Sequence, residues 1–232
     1  MLASEIFLLV SGKLQDLRNG TADRWPWERS PGVLSLVDLF NNAVNNIALN
    51  RPDATAVTES IRLQAGASQS IPDTATHGAS KNALCLLDLV QNMGSDGATP
   101  GAPIFRVSRD AMSTFDWSAA GTTVYNFAYD KMTNPEIYWV SPAIKAGATV
   151  YVQATYSAVP TQITVPADAV PIPDTFSVPI MHWMLYEVFA GDNSDADFAK
   201  AQHHLTAFYQ ALGVKLKADL FFPVQVRQME GK

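Results

Sequence analysis

Between Ile180 and Phe189 the chain has almost no polar face. Ile180, Met181, Trp183, Met184, Leu185, Val188 and Phe189 spread around a helical wheel rather than along one stripe. A helix that is apolar all round must be covered on both sides. Most of the helical patterns available to cover it lie at the other end of the chain. Ser4 to Arg18 places Ile6, Leu9, Val10, Leu14 and Leu17 at helical spacing and stops at Asn19-Gly20. A second pattern has Ser30 as expected N-cap and Pro31 at the first helical position. Its stripe is Val33, Leu36, Val37, Phe40, Val44 and Ile47, and Asn50-Arg51-Pro52 ends it. The apolar segment itself follows Pro171-Ile172-Pro173-Asp174, with Ser177 as a candidate cap and Pro179 in the first turn. One further helix is expected from Ser194, with Asp197 in the capping-box position and Gly213 as its stop. Phe198, Ala201, Leu205, Phe208 and Leu212 form its stripe.

The stretch between the two helical ends changes period. Val57–Leu63, Ile104–Val107, Tyr125–Tyr129, Ile137–Val140 and Thr149–Tyr156 are rich in β-branched and aromatic residues. Gly94-Ser95-Asp96-Gly97, Asn134-Pro135 and Lys145-Ala146-Gly147 separate them as turns. Ala83–Met93 fits a helix or a strand, and the turn after it favours a hairpin with Ile104–Val107. The expected fold class is therefore α+β. Residues 1–53 and 174–213 form a helical bundle, 54–173 an inserted antiparallel β domain, and 214–232 a C-terminal extended arm. Packing helices across so long an insertion requires its two ends to lie close together, which antiparallel strands allow.

Charged residues make up only 16% of the chain, against about 25% in ordinary soluble domains. So little charge on a 232-residue chain has two outlets, a membrane or burial against other subunits. The apolar runs are far shorter than the roughly 20 residues a spanning helix needs, and no secretion signal is read at the N-terminus. No membrane partner is expected. The single cysteine, Cys85, agrees with synthesis in a reducing compartment. The net charge of −6 argues against general nucleic-acid binding. Contact with other protein is left. The polar face of the second helix carries Asn41, Asn42, Asn45 and Asn46 where lysine and glutamate are commoner. These amides are either a plain solvated face or a polar subunit interface. Val214–Lys232, with Leu216, Leu220, Phe221, Phe222 and Val224, is too apolar for an idle tail.

No catalytic signature is found: no nucleophile elbow, no phosphate-binding loop and no dinucleotide fingerprint. His203 and His204 are neighbours, about 100° apart on a helix, and cannot share a ligand face. His77 and His182 stand alone in sequence. Asp192–Asp197 lacks the glycine and glutamate of a calcium loop and reads as helix capping. Asn19-Gly20-Thr21 matches a glycosylation acceptor without a secretion signal to support it. Asp116 and Asp130 would be the candidates for a glycosidase pair, and the five tryptophans, Trp25, Trp27, Trp117, Trp139 and Trp183, for sugar stacking. No cofactor or metal is expected, and no enzyme.

At Leu63 a family pattern begins. The run from Leu63 through Gly66, Gln69 and Ile71 to Pro72 resembles a segment of tailed-bacteriophage head-to-tail adaptor proteins. Asn92-Met93-Gly94, Asp116-Trp117, Tyr129-Asp130, Asn134–Tyr138 leading to Ser141-Pro142, Tyr156–Pro160 and Ile172-Pro173-Asp174 follow in the same order. The resemblance spans about 63–190 and implies a structural neck component of the virion, assembled in the host cytoplasm. It implies a ring of about twelve copies that joins the portal protein to tail or nozzle proteins, with DNA passing through unbound. The family's C-terminal segment reaches the portal, which maps onto Leu216, Leu220, Phe221, Phe222 and Val224. A tail-completion ring, or a carbohydrate-binding module of a different class, are the alternatives.

Overall fold

A computed structural model describes residues 1–15, 25–29, 32, 34–112, 119–191 and 195–213. Its elements are α1 (Ala3–Leu14), α2 (Leu36–Asn50), β1 (Ala56–Arg62), β2 (Gly66–Ser70), β3 (Ala83–Asn92), β4 (Phe105–Arg106) and the short α3 (Arg109–Met112). Then follow β5 (Ala120–Gly121), β6 (Asn126–Tyr129), β7 (Ile137–Ile144), β8 (Tyr151–Ala158), α4 (Ser177–Ala190) and α5 (Asp195–Ala211). The fold class is α+β, as the sequence leads one to expect.

Each helix boundary has a local cause. α1 stops at Leu14, short of the expected Arg18, because Gln15 turns into the left-handed region at φ 56°. The expected stop at Asn19-Gly20 lies outside the described residues. At its start α1 leaves free N–H groups that need partners. Ala3 N donates to Asp168 O at 3.0 Å and Ser4 N to Pro166 O at 2.8 Å. α2 begins at Leu36 rather than Pro31. Ser35 caps it by accepting from Asp38 N at 3.2 Å and donating to Asp38 Oδ2 at 2.7 Å. This reciprocal box satisfies N-terminal donors that a lone serine leaves open. Ser30, Pro31 and Val33, like the Ser194 cap, lie outside the described residues. α4 takes no side-chain cap from Ser177, which is already helical after one 3-10 turn at Asp174–Phe176.

The strands form two sheets. β1, β8 and β3 make an antiparallel three-stranded sheet in that order. β2, β7, β6 and β4 make the second, with β5 beside β7. The second sheet departs from a purely antiparallel plan at two short edges, where β4 runs parallel to β6 and β5 parallel to β7. β3 settles the ambiguity at Ala83–Met93 in favour of a strand. Its return leg begins as the expected hairpin: Asn92 N donates to Ala102 O at 2.9 Å and Ile104 N to Val90 O at 3.1 Å. It then crosses to the other sheet as β4. The two sheets enclose one core around Ile61, Leu89, Phe127, Tyr138, Val140, Val152 and Tyr156.

A separate core joins the helices from both ends, including Ile6, Phe7, Leu39, Phe40, Ile47, Ile180, Met184, Val188 and Phe208. α4 packs against α1, α2 and α5, which explains its lack of a polar face. The chain leaving β8 carries Ile163 and Ile172 into this helical core.

Candidate functional site

α4 sorts its few polar groups onto two flanks. Trp183 and Glu187 are one turn apart; Glu187 reaches Asn42 on α2, while the Trp183 ring packs on Phe208 of α5 at 4.8 Å. Trp183 Nε1 donates to Glu187 Oε1 at 2.8 Å, and Asn42 Nδ2 donates to Glu187 Oε2 at 3.2 Å. Burial pushes the Glu187 carboxyl above its ordinary range, and the two hydrogen bonds only partly oppose this. Among the described residues no cation pairs with it.

His182 and Phe189 face the other way, toward α5 and the end of α1. His182 Nδ1 lies 2.9 Å from His204 Nδ1, and the His204 ring stacks on Phe189 at 5.7 Å. His203 meets His204 edge-on, and Lys200 Nζ sits 5.1 Å over the Phe189 ring. Burial lowers the basicity of both paired histidines, and the Lys13 charge adds to it. His204 is brought down to about 4. Sequence spacing gives no hint of His182 as a partner of His204, since it is 22 residues away and on another helix. Among the described residues no group of three or more metal-ligating side chains is placed to hold a metal.

The four asparagines of α2 divide. Asn41 turns inward, at 6% exposure. Its Nδ2 donates to Ile163 O and its Oδ1 accepts from Ile163 N, both at 3.0 Å. Asn42, Asn45 and Asn46 stay toward solvent. Asn46 Nδ2 donates to Asn42 O at 2.9 Å, and Asn50 Nδ2 continues the pattern to Asn46 O at 2.8 Å. Leu49 lies on the same helix, 61% exposed. On α5 the expected stripe loses Phe198, which is 63% exposed, while Ala201, Phe208 and Leu212 are buried.

The root of the C-terminal arm is well defined. Leu212 is buried, and Gly213 turns the chain at φ 67°. Arg51 Nη1 donates to Leu212 O at 2.6 Å. The same guanidinium grips Asp53 through two bonds of 2.8 and 2.7 Å. Asn50-Arg51-Pro52 reads in sequence only as a helix stop. In the fold, Arg51 ties the end of α5 to the passage from α2 into β1. Leu216, Leu220, Phe221, Phe222 and Val224 lie outside the described residues.

The remaining candidates are structural. Asp130 accepts from Met132 N and from the Thr133 hydroxyl, which hold its carboxyl below the usual range. That is a turn cap. Asp116 and Trp117 lie outside the described residues. Trp27 Nε1 donates to Ser11 Oγ at 3.0 Å, and Trp25 and Trp27 pack on the helical core. The Arg109 guanidinium lies 5.1 Å over the Trp139 ring. His77 is buried against Asp73 at 2.9 Å.

The described residues form a helical core drawn from both chain ends, beside a β part with its own core, with the chain held at Leu212 by Arg51. The family model described as SU10 adaptor protein matches residues 3–228. The chain belongs to the SU10 adaptor family. The adaptor is thus a structural protein of a bacteriophage, similar over nearly its whole length to the family's model. No curated protein matches the adaptor's sequence. Among the described residues of the adaptor no helix is long and apolar enough to cross a membrane.

Proposed function

We propose that this chain forms a ring, of about twelve copies, that joins the portal to the tail and lets DNA pass through its bore. The arm Val214–Lys232 docks on the portal through Leu216, Leu220, Phe221, Phe222 and Val224. Asn42, Asn45 and Asn46 face a neighbouring subunit. The observation that carries this reading is the arm root. Arg51 clamps the last buried residue of α5, so an apolar arm starts from a fixed point on a rigid helical core.

The mechanism is assembly rather than chemistry. Docking orders the arm, which costs conformational entropy. Burying a phenylalanine pair offsets this by roughly 3–6 kcal/mol. Removing 214–232 is therefore expected to leave a folded subunit, with an unchanged circular-dichroism spectrum, that no longer binds a purified portal ring. Undiminished portal binding by the truncated chain rules the arm out as the anchor. Loss of tail binding alone places the protein on the tail side of the neck, as a tail-completion ring.

A further inference from the structure

The two flanks of α4 differ in chemistry, and each is left with an open half-pair. On the α2 flank, Glu187 is a half-buried carboxylate that holds two neutral donors and, among the described residues, no cation. A buried charge of this kind is costly unless a partner completes it. Beside it runs the amide face Asn42, Asn45 and Asn46, and then the exposed Leu49. On the opposite flank, α1 ends in the exposed Lys13, near enough to the His182–His204 pair to lower the basicity of both. One turn earlier, on the same side of α1, Leu9 is 55% exposed. Positions 182 and 187 are about 140° apart on α4, so the two flanks face different directions.

A carboxylate with an exposed leucine two turns along α2 thus stands on one side, and an ammonium with an exposed leucine one turn along α1 on the other. Such a pair is complementary between copies and cannot close within one. It gives a head-to-tail contact, the kind that generates rings. We infer that α1 of one subunit lies against the α2–α4 flank of the next, with Lys13 paired to Glu187 and Leu9 packed toward Leu49. This rests on the ring reading above and names the surfaces that build the ring. The neutral amides suit the rim of such a contact, where they can bond across it without charge desolvation.

The test is charge exchange, read by native mass spectrometry of the full chain, alone and with a purified portal ring. Glu187→Lys and Lys13→Glu are each expected to weaken subunit association at least about tenfold, because each sets like charges face to face. The chain carrying both substitutions is expected to return to within about threefold of the native chain. Glu187→Gln keeps one acceptor, for Trp183 Nε1, and turns an amide N–H toward Asn42, whose own amide can flip to accept it, while the charge is lost. It is expected to weaken association while leaving the urea midpoint of the subunit unlowered, so a folding defect is not mistaken for an assembly defect. Native association in both single variants, or no recovery in the double variant, overturns the pairing and leaves the ring standing. A native chain that stays monomeric even with the portal overturns the ring reading, and this contact with it.

Discussion

Asn41 shows how a residue's type and its job can part. It belongs to a run of amides that reads as one polar face, yet its side chain is bonded to both backbone groups of Ile163 inside the fold. Nothing local reveals this, because the partner is 122 residues away. Asn41→Leu is expected to leave a buried N–H and a buried C=O without partners and to cost roughly 2–4 kcal/mol, measured as a lowered urea midpoint. Asn46→Leu, on the outer side, is expected to change that midpoint little. Arg51 was equally hidden, behind a helix-stop signal. Arg51→Ala is expected to cost only about 1 kcal/mol of stability, since the group is partly exposed. Its larger effect is expected in portal binding by surface plasmon resonance, because the arm then starts from an unanchored residue.

The helices were legible at the scale of elements wherever period and caps agreed. α4 needed no subtlety: an all-round apolar segment predicts cover on both sides, and α1, α2 and α5 supply it. Boundaries failed where two signals competed. Ser30-Pro31 drew the expected start of α2 too early, because the cap is Ser35, which Asp38 answers from within the stripe. β3 misled for a different reason. Its ladder with β8 shifts register between Ala83 and Cys85, between Leu86 and Asp88, and between Leu89 and Gln91. Each irregularity breaks the strict alternation of a strand. Cys85, Leu86 and Leu89 are therefore all buried, a spacing that looks helical. Phe198 is exposed because α5 begins opposite the end of α4, where little remains to cover it. The α4–α5 contact also carries a pH dependence. His204 binds its proton at about 4 when folded against an ordinary 6.5, so the unfolded chain takes up protons first as pH falls. Stability is expected to fall between about pH 6.5 and 4. The carboxylates held low, such as Asp38, Asp53 and Asp168, lose their contribution below 3.8, outside that window, while Glu187, held above its ordinary 4.5, acts within it in the opposite sense and offsets part of the fall. The urea midpoint at pH 5 is expected below that at pH 7.5, and His204→Phe is expected to narrow the gap.

For the molecule as a whole, the low charged fraction points to covered surface, and the fold shows where such surface is available. The amide face, the exposed leucines of α1 and the arm root all lie on the helical part. The β part holds its own core and makes its own hydrogen bonds. That division was legible because the hydrophobic period changes twice along the chain. The flank chemistry was not, because it depends on which helices α4 separates, and periodicity gives a helix its buried face but not its neighbours.

A helical core drawn from both ends of the chain sets an order of events during synthesis. Roughly 125 residues separate Asn50 from Ser177. At about 5–20 residues per second, a ribosome takes roughly 6–25 s to deliver the helix that α1 and α2 await. The β sandwich emerges complete in that interval and can fold, while two amphipathic helices wait with their apolar faces uncovered. The nascent chain is therefore most exposed to aggregation and to chaperone capture before α4 appears. The same delay keeps the Glu187–Asn42 and His182–His204 pairs from forming until α4 and α5 have been made.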